Sequence, residues 1–118
     1  MRALLALVLP VLLCSCVSYE YVAPQTPEGV ACVSVCTRTR DQCTARENRI
    51  AREEKDRCER KELLRQNRCL ILAKNDADKA NCLKERDSCF VSADTYHCSR
   101  EYDQCFQGCG GQIIEHKN

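Results

Sequence analysis

Apolar residues fall along this chain in unequal densities, and the differences divide it. Ala3 to Leu13 is an uninterrupted apolar run, whereas Val17 to Gly29 mixes Pro24, Pro27, Ser18, Gln25 and Thr26 with isolated valines and tyrosines. From Val30 to about Lys74 the chain is free of Gly and Pro and rich in Arg, Glu, Lys, Ala and Leu, which predicts one long helix. That helix lacks the usual apolar stripe, since between Thr44 and Glu62 the only apolar residues besides Cys58 are Ala45, Ile50 and Ala51. Cysteine supplies the stripe instead. Cys43 follows Cys32 by eleven residues, Cys58 follows Cys36 by twenty-two, and Cys69 follows Cys58 by eleven. An eleven-residue period is about 3.67 residues per turn, so these sulfurs stay on one face for many turns. The remaining face is charged, with Glu53 and Arg57, and Asp56 and Arg60, placed four apart in the acid-first order that favours helix pairs.

Leu63, Leu64, Leu70, Ile71 and Leu72 form the densest apolar cluster after the first segment, and Asn75-Asp76-Ala77-Asp78 follows as a turn. Asn75 is expected to end the helix in the left-handed conformation, and Asp76 or Asp78 to cap the next. Leu83, Phe90 and Val91 are then expected to meet the cluster in a small core at the tip. Cys82 and Cys89 share a helix face, but Cys89 and Cys98 are nine residues apart and would point opposite ways on a continuous helix. A break near residues 91–95 is therefore expected, with Ser92 or Asp94 capping a final helix that runs through Gln107 and ends at Gly108, Gly110 and Gly111.

Across that turn the cysteines are mirrored. Cys32, three residues, Cys36, six residues, Cys43 on one arm matches Cys109, three residues, Cys105, six residues, Cys98 on the other. The pairs Cys32–Cys109, Cys36–Cys105 and Cys43–Cys98 each have residue numbers summing to 141. The prediction is an all-α fold, an antiparallel helical hairpin stapled rung by rung. For the inner rungs Cys58–Cys89 with Cys69–Cys82 is preferred; Cys58–Cys82 fits the axial distance but strands Cys69 and Cys89. The expected organisation is a signal segment over 1–15, a flexible tether over 16–29, the hairpin over 30–111 and a flexible tail over 112–118. Tyr19 and Tyr21 are expected to be exposed residues of the tether.

Composition changes the energetic picture. Beyond residue 15, Leu, Ile, Val and Phe fall below the roughly 20% that usually supports a core, so ten body cysteines must do much of the work of limiting the unfolded state. Twelve cysteines behind a signal-like start imply an oxidising compartment. Zinc sites favour closely spaced cysteine knuckles or accompanying histidines, and the chain has only His97 and His116, with His97 expected to point away from the sulfur stripe. No metal and no cofactor are expected. Neither a nucleophile with a placed base nor a Gly-rich phosphate loop can be argued for, so catalysis is not expected, and a net charge of +1 gives no argument for nucleic acid. Thr37 to Arg68 carries eleven basic against seven acidic residues and Ala73 to Asn118 six against eight, which favours antiparallel docking of the arms. The Arg-rich outer face of the first arm is also a candidate for anionic headgroups or polysaccharide.

Met1-Arg2 followed by Ala3 to Leu13 has the length and order of a secretory signal. Leu13-Cys14-Ser15-Cys16 resembles the lipobox of bacterial lipoproteins, with Cys14 at a position where Ala, Ser, Thr or Val is usual. The resemblance implies that Cys16 is acylated and N-terminal, and Val17 after it implies outer-membrane delivery. The two Cys-x3-Cys motifs, Cys32 with Cys36 and Cys105 with Cys109, resemble the twin Cys-x3-Cys scaffold of plant α-hairpinins and of small mitochondrial intermembrane-space chaperones. That likeness implies geometry for the outer rungs and carries no activity. The resulting expectation is a cell-envelope lipoprotein, anchored to the membrane by lipid, whose rigid hairpin is a structural or protein-interaction module for another envelope protein. The alternative is a secreted disulfide-rich peptide of the inhibitor or toxin kind. Leu63, Leu64, Leu70 and Phe90 at the tip, and Ile113 and Ile114 in the tail, are the candidate partner-binding residues, with closure of a small core as the simpler role for the tip.

Overall fold

The computed structural model describes residues 16–117, so the expected signal segment lies outside the described residues. The described chain is mostly helical and runs β1 (Val17–Val22), α1 (Pro27–Leu72), α2 (Asp76–Lys84), α3 (Tyr96–Gly108) and β2 (Gln112–Lys117). α1 is 46 residues long and starts three residues before the expected Val30. The reason is a cap read as tether: Thr26 is extended, its hydroxyl oxygen accepts the Gly29 N–H at 3.0 Å, and Pro27 occupies the first helical position, where its missing N–H costs nothing.

The turn at the far end is built differently from the expectation. Asn75 is extended rather than left-handed and is itself the cap of α2, accepting the Asp78 N–H at 2.9 Å, while Asp78 accepts the Lys74 N–H at 3.1 Å. α2 is only nine residues long and stops at Lys84. The break thus spans residues 85–95, well beyond the expected 91–95, and Cys89 lies inside it with φ 49°, a conformation no helix supplies. Neither Ser92 nor Asp94 caps α3; Thr95 precedes it and makes no side-chain cap hydrogen bond. α3 ends in a turn in which Gly110 takes φ 96° and Gly111 passes so close to Phe106 that a Cβ there would lie 2.4 Å from the ring.

Five bridges hold α1 to the rest of the chain: Cys32–Cys109, Cys36–Cys105, Cys43–Cys98, Cys58–Cys89 and Cys69–Cys82. These are the pairs preferred from spacing, including the inner two. The core is mostly sulfur. Its buried members are Cys36, Cys43, Cys82, Cys89 and Cys98, joined by a single aromatic ring, Phe106, at 3% exposure. The acid-first helix pairs expected on the outer face are replaced by Arg49 with Glu53 at 3.9 Å and Lys55 with Glu59 at 3.7 Å, both exposed and therefore each worth little.

A purely all-α fold is corrected by the ribbon of β1 and β2. The segments expected as flexible tether and flexible tail pair antiparallel, from Val17 opposite Lys117 to Val22 opposite Gln112. Tyr21, expected to be an exposed tether residue, leans on α3: its ring meets Phe106 edge-on at 5.4 Å and Tyr102 at 6.2 Å, and its hydroxyl donates to Asp103 at 2.9 Å. Arg40 of α1 covers the Tyr102 ring from 4.4 Å, which joins the ribbon, α3 and α1 at one place. Tyr19 on the same strand remains exposed.

Candidate interaction surface

Two ends of the hairpin carry the residues singled out from sequence, and the length of α1 separates them. At 1.5 Å per residue its 46 residues span about 69 Å. Cys16 lies at the ribbon end, exposed and unbridged, immediately before β1. Because Val17 pairs with Lys117, both ends of the described chain lie side by side there.

The other end departs most from expectation. Leu63, Leu64, Ile71, Leu72 and Phe90 are 57%, 67%, 82%, 72% and 86% exposed, and Leu83 is exposed too, so no core closes the tip. Leu70 and Val91 are half-buried. The cause is geometric. At 100° per residue Leu64 and Ile71 lie about 140° and 160° around α1 from Cys69, on the side away from the second arm. The second arm brings only the nine residues of α2 to this end before the chain turns irregular. Of the candidate partner-binding residues, Leu63, Leu64 and Phe90 are thus presented to solvent and Leu70 only in part. Ile113 is half-buried in the ribbon, where it stands opposite Tyr21, and Ile114 stays exposed.

Beside the Cys58–Cys89 rung the irregular segment stands off α1 and leaves a cleft of about 670 Å³, lined by Glu59, Glu62, Leu63, Gln66, Arg86 and Asp87. Glu62 and Arg65 hold its shape. The two side chains pair at 3.1 Å; the Arg65 guanidinium donates to the Glu85 carbonyl at 2.6 Å, and Glu62 accepts the Asp87 N–H at 3.2 Å. Asp87 in turn accepts the Cys89 N–H at 3.0 Å, the local bond that steadies Cys89 at positive φ. Spacing revealed the rung but not this clamp, because a Glu and an Arg three apart on a charged helix look like any other solvated pair.

His97 does not point away from the sulfur stripe. Its Nε2 lies 3.4 Å from Cys43 Sγ, 3.6 Å from Cys98 Sγ and 3.7 Å from Glu47 Oε1, while Arg46 reaches Cys43 Sγ at 3.9 Å. Glu47 and both sulfurs approach the same ring nitrogen, which is not the relay of an activated nucleophile, and the Cys43 sulfur is already bonded to Cys98. Cys32, Cys36 and Cys109, and Cys58, Asp87 and Cys89, are two further places where metal-type ligands crowd together, and there too every sulfur is committed to a bridge. No helix among the described residues is long and apolar enough to cross a membrane. Five bridges point to an oxidising compartment outside the cytoplasm. No family model, no curated protein and no solved structure matches the chain.

Proposed function

We propose that this protein is a cell-envelope lipoprotein, acylated at Cys16, whose stapled hairpin presents the tip as a docking surface for an envelope protein. The observation that carries the reading is the exposure of Leu63, Leu64, Ile71, Leu72 and Phe90 at the end of the hairpin remote from Cys16. A chain this short of apolar residues leaves most of its large ones in water, and among the described residues all four exposed leucines, Leu63, Leu64, Leu72 and Leu83, lie at the tip with Ile71 and Phe90. The free, exposed position of Cys16 ahead of β1 and the lipobox-like residues before it support an anchor at the other end. A lipid at Cys16 would set the ribbon at the membrane surface and hold the tip up to about 69 Å away along α1.

Palmitate labelling of cells expressing wild type and Cys16→Ser tests the anchor, with label expected on the wild type alone. Crosslinking in intact envelopes then tests the tip. Leu64→Glu removes apolar surface without touching a rung, so it is expected to keep all five bridges and to lose the wild-type adduct. An unchanged adduct would sink the docking role, and an unlabelled wild type would return the protein to the secreted reading.

A further inference from the structure

The two rungs nearest the ribbon are not independent of each other. Cys36 Sγ and Cys109 Sγ belong to different bridges yet lie 3.5 Å apart. The sulfurs of Cys32, Cys36 and Cys109 all fall within 4.8 Å of one another. That contact is at the roughly 3 to 3.5 Å separation of a reacting pair. Exposure divides the same four cysteines. Cys32 and Cys105 are the exposed members among all ten bridged cysteines, Cys109 is half-buried, and Cys36 is 1% exposed. At every other rung each sulfur belongs to a buried or half-buried residue.

We propose that these two rungs form a single thiol–disulfide exchange site, which takes two electrons from a dithiol and comes to rest as a Cys36–Cys109 bridge flanked by free thiols at Cys32 and Cys105. A thiolate of the dithiol attacks the exposed Cys105 sulfur, breaking its bond to Cys36, which leaves as a thiolate. The second thiol of the reagent attacks the reagent's sulfur in the mixed disulfide, releasing Cys105 and departing as the oxidised cyclic disulfide. Cys36, 3.5 Å from Cys109, then attacks it, forming Cys36–Cys109 and expelling Cys32, which takes a proton from water. The reagent loses two electrons and two protons, and Cys32 and Cys105 gain them.

The direction of the last step follows from burial. Cys36 is 1% exposed, so a thiolate released there is cut off from water and is relieved by bonding to the sulfur 3.5 Å away. Cys32 is exposed, so the thiolate it leaves as is solvated by water. The rearrangement thus moves both free thiols to the exposed positions and keeps the buried sulfur oxidised. The opposite crossing, Cys32 with Cys105, has no comparable contact, because Cys105 does not join the cluster of the other three.

The test uses the intact, oxidised protein with its pre-existing free thiols blocked. It is treated with substoichiometric dithiothreitol, quenched in acid, alkylated with N-ethylmaleimide at low pH and digested without reduction. The expected product carries label on Cys32 and Cys105 and yields a peptide pair joined by Cys36–Cys109. Label on Cys36 and Cys105 with Cys32–Cys109 intact, or on Cys32 and Cys109 with Cys36–Cys105 intact, would overturn the exchange. Label arriving first at any of the three other rungs would overturn the assignment of the site.

Discussion

Tyr21 shows how one side chain converts an apparently unstructured segment into an element. It is half-exposed, yet its ring has Phe106 and Tyr102 beneath it and its hydroxyl has Asp103 beside it. The hydrogen bond to Asp103, followed by burial and by the carboxylate's charge, raises its pKa above the ordinary 10.0. A folded-state pKa above the unfolded one means that the protonated phenol is favoured by folding. The corresponding stability is complete below pH 10 and is lost as pH climbs through the folded value. Ultraviolet titration of the four tyrosines should therefore find one that ionises later than the rest, and Tyr21→Phe should remove that late step. Four tyrosines titrating together would refute the contact. His97 teaches the reverse lesson about legibility. Its spacing beside Cys98 was visible, but its approach to Cys43 is shared with Glu47 of the other arm, which sequence distance does not register.

Among the elements, the helices and rungs were legible because period and mirror symmetry are properties of spacing. Each cysteine on α1 constrains its partner through both angle and axial rise, which is why even the choice of Cys58–Cys89 over Cys58–Cys82 could be made in advance. The ribbon was not legible. β1 and β2 are separated by the whole hairpin; Val17 to Tyr21 does alternate apolar and polar, but Gln112 to Lys117 does not, and five of the six residues in each strand are exposed. Their pairing is set by the closure of the arms, which brings the start of α1 next to the end of α3. Phe106 is what the ribbon packs on, and Gly111 lets the chain pass over that ring. Phe106→Ala should therefore cost about 3 kcal/mol, the lower end for a buried aromatic, since Tyr21 and Tyr102 can settle partly into the gap. Hydrogen exchange should locate the loss. Amides of β1 and β2 are expected to lose protection while those of α1 near Cys58 keep theirs; uniform loss along the chain would contradict a ribbon that rests on this ring.

At the scale of the whole molecule, the question is what holds the arms together when so little apolar surface lies between them. Taken singly, the loops closed by the bridges, from 13 residues at Cys69–Cys82 to 77 at Cys32–Cys109, correspond to about 3 to 4.5 kcal/mol of lost unfolded-state entropy. Nested loops share part of that constraint, so the five together stabilise by less than the sum. Against this, Phe106 and Pro24 are the only buried side chains besides the cysteines among the described residues. α1 by itself is a charged helix with exposed pairs, and helices in proteins draw most of their stability from packing rather than propensity. α2 and α3, at nine and 13 residues, fall near or below the length at which isolated helices persist in water. Full reduction by excess dithiol, followed by alkylation, should therefore abolish the ribbon and the two short helices and leave α1 frayed, with most of the helical circular dichroism gone. The same protein with only its ribbon-end rungs reduced should keep its helicity, because Cys43–Cys98, Cys58–Cys89 and Cys69–Cys82 still tie both arms. A fully alkylated chain that retained its native spectrum would mean that the arms recognise each other through charge, and the disulfides would then lock a hairpin that forms without them.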